Sequence, residues 1–230
     1  MGLFFFFSTS MQKQVVDAPK CYTIHNSTNK RSATNRKRMI GLKKLLLFLY
    51  DSFAEFEVIT LVTALKRTDY TLVTFSTKPK GEAVTALSTL CYLPARSVQD
   101  IDVDEFAALV IPGGAPHPFL HAQKLIQVIR SFYEQNKLIA AICGGPSLLG
   151  AAAILNEIAY TASIEPSDLE YEHVMNWENK RNERLVIDKN VITATGSNYL
   201  DFAEEVLRRL GGVEPEDKNP LQYFREPSMS

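Results

Sequence analysis

One stretch, KLIAAICGGPSLLGAAAIL at residues 137–155, constrains the fold of this chain more than any other. It begins with a wholly apolar run at 138–142, which is typical of a strand buried on both faces. Small and apolar residues at helical spacing follow from position 147. A buried strand therefore turns sharply into a helix, and Cys143 stands at the turn. Two glycines and Pro146 come next, which suit a tight bend and a first helical turn.

Cys143 occupies the position that a serine takes in a strand-to-helix nucleophile elbow. A thiol in that place faces the positive end of the helix dipole, which lowers its pKa below the ordinary value of about 8.5. The sequence therefore predicts that Cys143 is the most reactive of the three thiols. The alternative is a buried structural cysteine at a packing joint.

Short apolar runs alternate with amphipathic helical patterns along the chain, which predicts an α/β fold with a parallel sheet. Functional sites of such folds lie at the carboxyl ends of the strands. The patterns place strands at 43–50, 70–76, 107–111, 138–142, 158–161, 183–188 and 191–195, two β pieces at 83–87 and 89–93, and helices at 54–66, 118–135, 147–153 and 199–210.

Charge divides the chain into parts. Residues 1–38 contain seven Lys/Arg and one acid, a balance of +6, and show no core-forming periodicity. We expect them to form a disordered extension, although an acid-poor, Arg/Ser/Thr-rich composition also weakly resembles an organellar transit peptide. Residues 39–212 are expected to form the domain, and 213–230 a loose C-terminal tail.

Composition also excludes several classes of function. Residues 39–230 contain 18 basic and 25 acidic residues, a balance of −7, which disfavours nucleic acid as a partner. No apolar run reaches the roughly 18 residues of a membrane span. The three cysteines are widely spaced, without CxxC or Cys/His metal spacing, as in reduced cytosolic proteins. We therefore expect a cytoplasmic protein with no metal, cofactor or membrane partner.

Three predicted strands end in residues that carry chemistry. The first is followed by Glu57 one turn into a helix, the third by Gly113 and Gly114, and the fourth by Cys143. Gly114 and Gly144 can each offer a backbone N–H to a developing oxyanion, because no side chain blocks close approach. Glu57 can point across to Cys143, and the alternative is a solvated carboxylate on the helix surface.

These residues carry a resemblance. FAEFE at 53–57, IPGG at 111–114 and AICGGP at 141–146 resemble the ThiJ/PfpI superfamily in order and approximate spacing, and VITATG at 191–196 is similar to its closing strand. The resemblance implies a flavodoxin-like three-layer sandwich, with a mostly parallel central sheet and helices on both faces, usually as a homodimer. It also implies a reactive Cys143, a Glu57 carboxyl that hydrogen-bonds it, and the Gly114 and Gly144 amides as oxyanion hole.

The chain departs from that family in its histidines. Related hydrolases and glyoxalase- or deglycase-type members carry a histidine directly after the cysteine, where Gly144 stands, or about twenty residues on, where residues 160–163 stand. No late His-x-Glu follows Cys143, so glutamine amidotransferase activity is not expected. His117 and His173 are the candidate bases, each with the alternative of a surface or packing residue. Tyr160 is a candidate for orienting substrate or a core tyrosine.

Two functions remain open on the sequence. One is a cysteine-dependent hydrolase or lyase for a small carbonyl or acyl substrate, of glyoxalase, deglycase or hydrolase type. The other is a non-catalytic stress protein, a chaperone-like protein or a sensor whose Cys143 is oxidised reversibly. For either, we expect a protonated Glu57 to share a hydrogen bond with a Cys143 thiolate, since two like charges repel in a desolvated site.

Overall fold

The computed structural model describes Cys21–Tyr22, residues 43–212 and residues 221–225. In that part of the chain the strands are β1 (Cys21–Tyr22), β2 (Lys43–Phe48), β3 (Tyr70–Ser76), β4 (Val84–Thr85), β5 (Cys91–Tyr92), β6 (Arg96–Ser97), β7 (Ala108–Ile111), β8 (Leu138–Ile142), β9 (Leu185–Asp188) and β10 (Val191–Ala194). The α-helices are α1 (Phe56–Leu65), α2 (Gln123–Glu134), α3 (Pro146–Ala151) and α4 (Tyr199–Arg209).

The main sheet has seven strands in the order β6-β3-β2-β7-β8-β10-β9 among the described residues. All neighbours pair in parallel except β10 and β9. The chain moves outward from β2 through β3 to β6 and then returns to β7, on the other side of β2. Strand order therefore reverses between β2 and β7, and ligand sites of open α/β sheets lie at such a switch point.

Helices cover both faces of this sheet. Successive residues of a strand point to opposite faces, and all four residues of β7 are fully buried. One layer is formed by α1 packed against α4, and the other by α2 packed against α3. The amphipathic pattern of α2 explains its docking, since its buried residues recur at helical spacing: Leu125, Val128, Ile129, Phe132 and Tyr133. The predicted three-layer, mostly parallel α/β sandwich is confirmed.

Some predicted elements differ from the structure. Residues 158–161 form no strand, because only Tyr160 makes an isolated bridge, with Lys180. The helix predicted over 118–135 is two elements, a 3-10 turn at His117–Phe119 and then α2. The short edge strand β6 was not predicted, because two residues carry no periodicity.

A second, three-stranded sheet joins β4 and β5 to β1. Cys21 and Tyr22 pair in parallel with Cys91 and Tyr92, so these two residues of the predicted N-terminal extension lie beside the domain. The rest of that extension lies outside the described residues.

Part of the predicted C-terminal tail also packs on the domain. Leu221 is only 2% exposed. Its N–H donates to the buried carboxylate of Glu204 in α4, and the Arg225 guanidinium pairs with the same carboxylate at 2.9 Å. Residues 221–225 are therefore held against α4.

No helix in the described part of the chain is long and apolar enough to cross a membrane.

Candidate functional site

Cys143 follows β8 directly and adopts a left-handed backbone conformation, with φ of +61°. Its N–H donates to the Ala194 carbonyl at 2.8 Å, which fixes the end of β8 against β10. A non-glycine residue in this region is strained, and such strain collects at functional sites. The sequence pattern led us to expect the bend in the two following glycines. The bend lies in Cys143 itself, and Gly145 instead provides space, because a Cβ there would fall 2.9 Å from the Ile142 and Pro112 carbonyl oxygens.

Glu57 lies in the first turn of α1 and is 1% exposed. Its Oε2 accepts a hydrogen bond from the Gly113 N–H at 2.7 Å, and its carboxyl also hydrogen-bonds the Cys143 side chain. The alternative of a solvated surface carboxylate is therefore wrong. A buried, charged side chain needs such partners, since an unpaired one is costly.

Both backbone polar groups of Gly113, its carbonyl and its N–H, are hydrogen-bonded. Its carbonyl accepts the Tyr50 hydroxyl at 2.6 Å and the Ala54 N–H at 2.9 Å, while its N–H is bound to Glu57. The ring of Tyr50 is 1% exposed, so this anchor is part of the core. The loop after β7 is therefore fixed relative to the carboxyl that faces the thiol.

Two glycines pack directly against the Cys143–Glu57 pair. A Cβ on Gly113 would lie 2.8 Å from Glu57 Oε2 and 2.9 Å from Cys143 Sγ. A Cβ on Gly196, which follows β10, would lie 2.9 Å from Glu57 Oε1 and 3.1 Å from Sγ. No other residue type fits at either place without displacing the pair.

Three groups hydrogen-bond the sulfur of Cys143. Glu57 lies on one side, while the Ser163 hydroxyl and the Gly144 N–H donate to it. Ser163 is itself tied to this site, because its Oγ accepts the Gly196 N–H at 2.9 Å.

Burial, followed by the charge of the Glu57 carboxylate and the hydrogen bond to it, raises the pKa of the Cys143 thiol to about 11. Burial also raises the pKa of Glu57. Our expectation that the helix N-terminus lowers the thiol pKa is therefore wrong. The physical reason is that the thiol is removed from water and contacts a carboxylate, and both raise its pKa, while the helix that follows has only six residues.

The pair accordingly holds one proton near neutral pH, because burial raises the pKa of both groups and two negative charges in contact are disfavoured. We expected that proton on Glu57 beside a Cys143 thiolate, whereas the raised pKa of the thiol favours a thiol that donates to the carboxylate. Glu57 is then placed to receive the thiol proton rather than to supply one.

The backbones of the two predicted oxyanion-hole residues, Gly114 and Gly144, lie close together. A Cβ on Gly144 would be 3.2 Å from the Gly114 carbonyl oxygen, so the two backbones approach each other beside Cys143. Among the described residues, the Gly114 N–H has no acceptor, whereas the Gly144 N–H is directed at Sγ. Gly114 has φ of +111°, a conformation that favours glycine.

The structure does not bring the candidate histidines to the thiol. His117 is exposed and packs edge-on against Tyr171, with ring centroids 6.4 Å apart. His173 is exposed and stacks on His121 at 5.4 Å. Within the described residues, no histidine hydrogen-bonds Cys143. Tyr160 is fully buried and donates to the Asn176 carbonyl at 3.0 Å, as a core tyrosine does.

Sequence reasoning missed Tyr50, Ser163 and Gly196 as members of the site, and it named Gly113 at the strand end without its contact to Glu57. Gly113 and Gly196 stand inside the motifs that carried the resemblance, so their position beside the Cys143–Glu57 pair could have been predicted from the sequence. Ser163 stands in segment 160–163, where the resemblance implied a histidine and gave no signal for a serine. Tyr50 gives no signal in the sequence, because its hydrogen bond depends on how β2 and β7 are paired.

No group of His, Cys, Asp or Glu side chains with metal-binding geometry occurs in the part of the chain that the structure describes. The contacts of Cys143 and Glu57 point to proton transfer and nucleophilic attack by the chain's own side chains.

The family model of the DJ-1/PfpI family matches residues 43–209. The crystal structure of the DJ-1 superfamily protein Atu0886 from Agrobacterium tumefaciens superposes with a TM-score of 0.69 at 31% identity, covering 79% of this chain and 97% of that one.

Two curated relatives have names that refer to chemistry. Protein/nucleic acid deglycase 2 of Escherichia coli is 25% identical over 179 residues, 74% of this chain and 98% of its own length. Putative cysteine protease YraA of Bacillus subtilis is 27% identical over 172 residues, 73% of this chain and 98% of its own length.

Proposed function

This chain belongs to the DJ-1/PfpI family, and we propose that it is an enzyme in which Cys143 attacks the carbonyl carbon of a small aldehyde or acyl substrate. One observation carries the proposal. Cys143 is held in a left-handed conformation with its thiol against a buried carboxyl, Glu57. The deglycase and cysteine protease names of two relatives are consistent with attack on a carbonyl or acyl carbon.

The first step follows from the contacts of the thiol. As Sγ forms a bond to the carbonyl carbon, its proton passes to the Glu57 carboxylate and the π electrons of the C=O bond move to oxygen. The Gly114 N–H, which has no acceptor among the described residues, is available to that oxyanion. With an aldehyde, return of the proton from Glu57 to the oxygen gives a hemithioacetal.

The Gly144 amide has two successive roles in this step. Its N–H donates to Sγ in the resting site. As sulfur becomes neutral in the new C–S bond, it becomes a weaker acceptor than the developing oxyanion. The Gly144 N–H then turns from sulfur to oxygen and joins that of Gly114.

Turnover of methylglyoxal, a small dicarbonyl, tests the proposal. Wild type is expected to consume it, and Cys143→Ser to lose more than about 99% of that activity, since the attacking thiol is gone. Cys91→Ser is the matched control, because Cys91 is 4% exposed and contacts Thr85 rather than the site. Equal loss in both variants, or no loss in Cys143→Ser, contradicts the proposal.

The second candidate is a sensor or chaperone-like stress protein in which peroxide oxidises the Cys143 thiol to sulfenic acid and releases water. One observation favours it: no histidine in the described residues hydrogen-bonds Cys143. Oxidation also requires the thiolate, so with a raised thiol pKa this route, like carbonyl attack, needs Glu57 to take the thiol proton. Selective peroxide oxidation of Cys143 in a protein that turns over no carbonyl substrate would favour the sensor.

The setting of the protein is also part of the proposal. We infer a cytoplasmic homodimer that acts on a small molecule and binds no nucleic acid. The acidic balance of residues 39–230 supports the last point. The exposed apolar side chains of Phe56 and Ile59 on α1 support self-association. Sedimentation at several protein concentrations measures the oligomeric state, and a monomer throughout would contradict the dimer.

A further inference from the structure

Ser163 is attached to the nucleophile through its backbone. Its N–H donates to the Cys143 carbonyl oxygen at 2.9 Å, so the two residues keep a fixed distance although they are twenty positions apart. The Cys143 peptide is bound on its other side to Ala194 of β10. Ser163 is therefore placed by the same hydrogen bonds that shape the elbow.

The direction of the Ser163 hydroxyl is set by Gly196. The Gly196 N–H donates to Ser163 Oγ at 2.9 Å, so this oxygen is an acceptor on that side and its own hydrogen points elsewhere. Sγ of Cys143 lies beside Gly196, 3.1 Å from where a Cβ of that glycine would be. The hydroxyl hydrogen remains available to Sγ, and a hydrogen bond from Ser163 to the Cys143 side chain lowers the pKa of the thiol.

Donors and an acceptor thus face the sulfur from different elements. Glu57 of α1 accepts the thiol proton, while Ser163 and Gly144 donate to sulfur. The other titratable groups that act on this site are Tyr50, after β2, and Tyr171, in the segment that packs on His117. Burial raises the pKa of both tyrosines, so neither is charged near neutral pH, and neither hydrogen-bonds the Cys143 thiol. Ser163 is the uncharged side chain that does.

We propose that Ser163 is a positioning residue for the nucleophile: its hydroxyl, oriented by Gly196, holds Sγ of Cys143 so that the thiol proton is directed to Glu57. It donates to the sulfur that becomes negative as the proton leaves, which lowers the cost of that transfer. The catalytic part of this role rests on the proposed function, whereas the effect on the thiol does not.

The test compares Ser163→Ala, which removes the donor, with Ser163→Thr, which keeps a hydroxyl. Ser163 is exposed, and circular dichroism checks that both variants fold. The rate of Cys143 alkylation by iodoacetamide is followed against pH by mass spectrometry. We expect Ser163→Ala to react about tenfold more slowly at every pH below the thiol pKa, since a hydrogen bond to a charged group commonly contributes that much. Ser163→Thr is expected to react like wild type.

Two outcomes would overturn the role of Ser163. One is an alkylation profile of Ser163→Ala equal to that of wild type. The other is a Ser163→Thr variant, folded by circular dichroism, that is as slow as Ser163→Ala. Methylglyoxal turnover gives a separate result, in which Ser163→Ala is expected to lower kcat about tenfold with KM unchanged. Absence of turnover in wild type would refute the proposed function. The alkylation rates would then still test whether Ser163 positions the thiol.

Discussion

At the scale of single residues, this site depends on one proton shared by Cys143 and Glu57. Both groups are removed from water, and burial raises the pKa of each. Two negative charges in contact are disfavoured, so the pair loses its last proton only at high pH. A thiol in this state is a weak nucleophile until Glu57 takes its proton in the presence of substrate.

The first prediction concerns the pH dependence of Cys143. A raised thiol pKa means that the thiolate fraction, and with it the alkylation rate, increases with pH up to about 11. We expect Cys143 to react before Cys91 at each pH, because Cys91 is 4% exposed. Iodoacetamide rates for each thiol, read by mass spectrometry, check both points. A Cys143 rate that levels off below the ordinary thiol value of about 8.5 would be inconsistent with a thiol that donates to a carboxylate.

Individual residues also show where sequence reasoning reaches its limit. The place of Cys143 was predictable, because an apolar strand followed by glycines and a proline can turn only at that point. The direction of its pKa shift was not, since it depends on Glu57 being buried against the sulfur rather than in solvent. Ser163 was missed because a serine in a loop has many harmless roles.

At the scale of elements, the ends of β2, β7, β8 and β10 supply the site. Their alternation with helices predicted the parallel sheet and the edge at which the residues meet. The elements that sequence patterns predicted wrongly are short. The strand β6 has only two residues and was not predicted, and residues 158–161, predicted as a strand, make a single bridge. Such pieces are fixed by tertiary pairing, for which a local pattern carries no signal.

A second prediction tests the close approach after β10. Gly196→Ala would place a methyl group 2.9 Å from Glu57 Oε1 and 3.1 Å from Cys143 Sγ, so the pair must move apart. We expect a loss of about 1–3 kcal/mol of stability from overpacking and about 100-fold in turnover from misplacement.

The matched control for Gly196→Ala is Gly211→Ala. Gly211 has φ of +64°, and no atom of the described residues lies within 4 Å of a Cβ there, so alanine strains the backbone without touching the site. We expect about 1 kcal/mol of destabilisation and unchanged turnover. Urea unfolding and initial rates measure both effects. Full activity in Gly196→Ala would show that the glycine is not needed for the geometry of the pair.

At the scale of the whole molecule, residues 221–225 are clamped onto α4 by a buried carboxylate. Glu204 is 4% exposed and pairs with Arg225, whose side chain is 30% exposed. Because α4 packs on α1, which carries Glu57, this contact supports the layer of helices behind the site. Sequence reasoning expected a loose tail, since a pair formed across such a loop leaves no periodic pattern.

The third prediction measures this clamp. Arg225→Ala leaves the buried Glu204 carboxylate without its guanidinium, so we expect a loss of about 2 kcal/mol in the free energy of unfolding. Arg209→Ala is the control, because its pair with Glu205 is exposed and is expected to contribute about 0.5 kcal/mol or less. Urea unfolding at neutral pH compares them. Equal small losses would show that the segment does not stabilise the domain.

The central claim is that the Glu57 carboxylate contacts Cys143 and holds its thiol in the protonated form. The most direct measurement is ultraviolet titration of the Cys143 thiolate with Cys21 and Cys91 replaced by serine, with and without Glu57→Gln. Glutamine removes the negative charge at nearly constant volume, so the midpoint is expected to fall from about 11 towards the ordinary value of about 8.5. An unchanged midpoint would contradict the contact, and a midpoint that rises would show that the resting proton is on Glu57 rather than on sulfur.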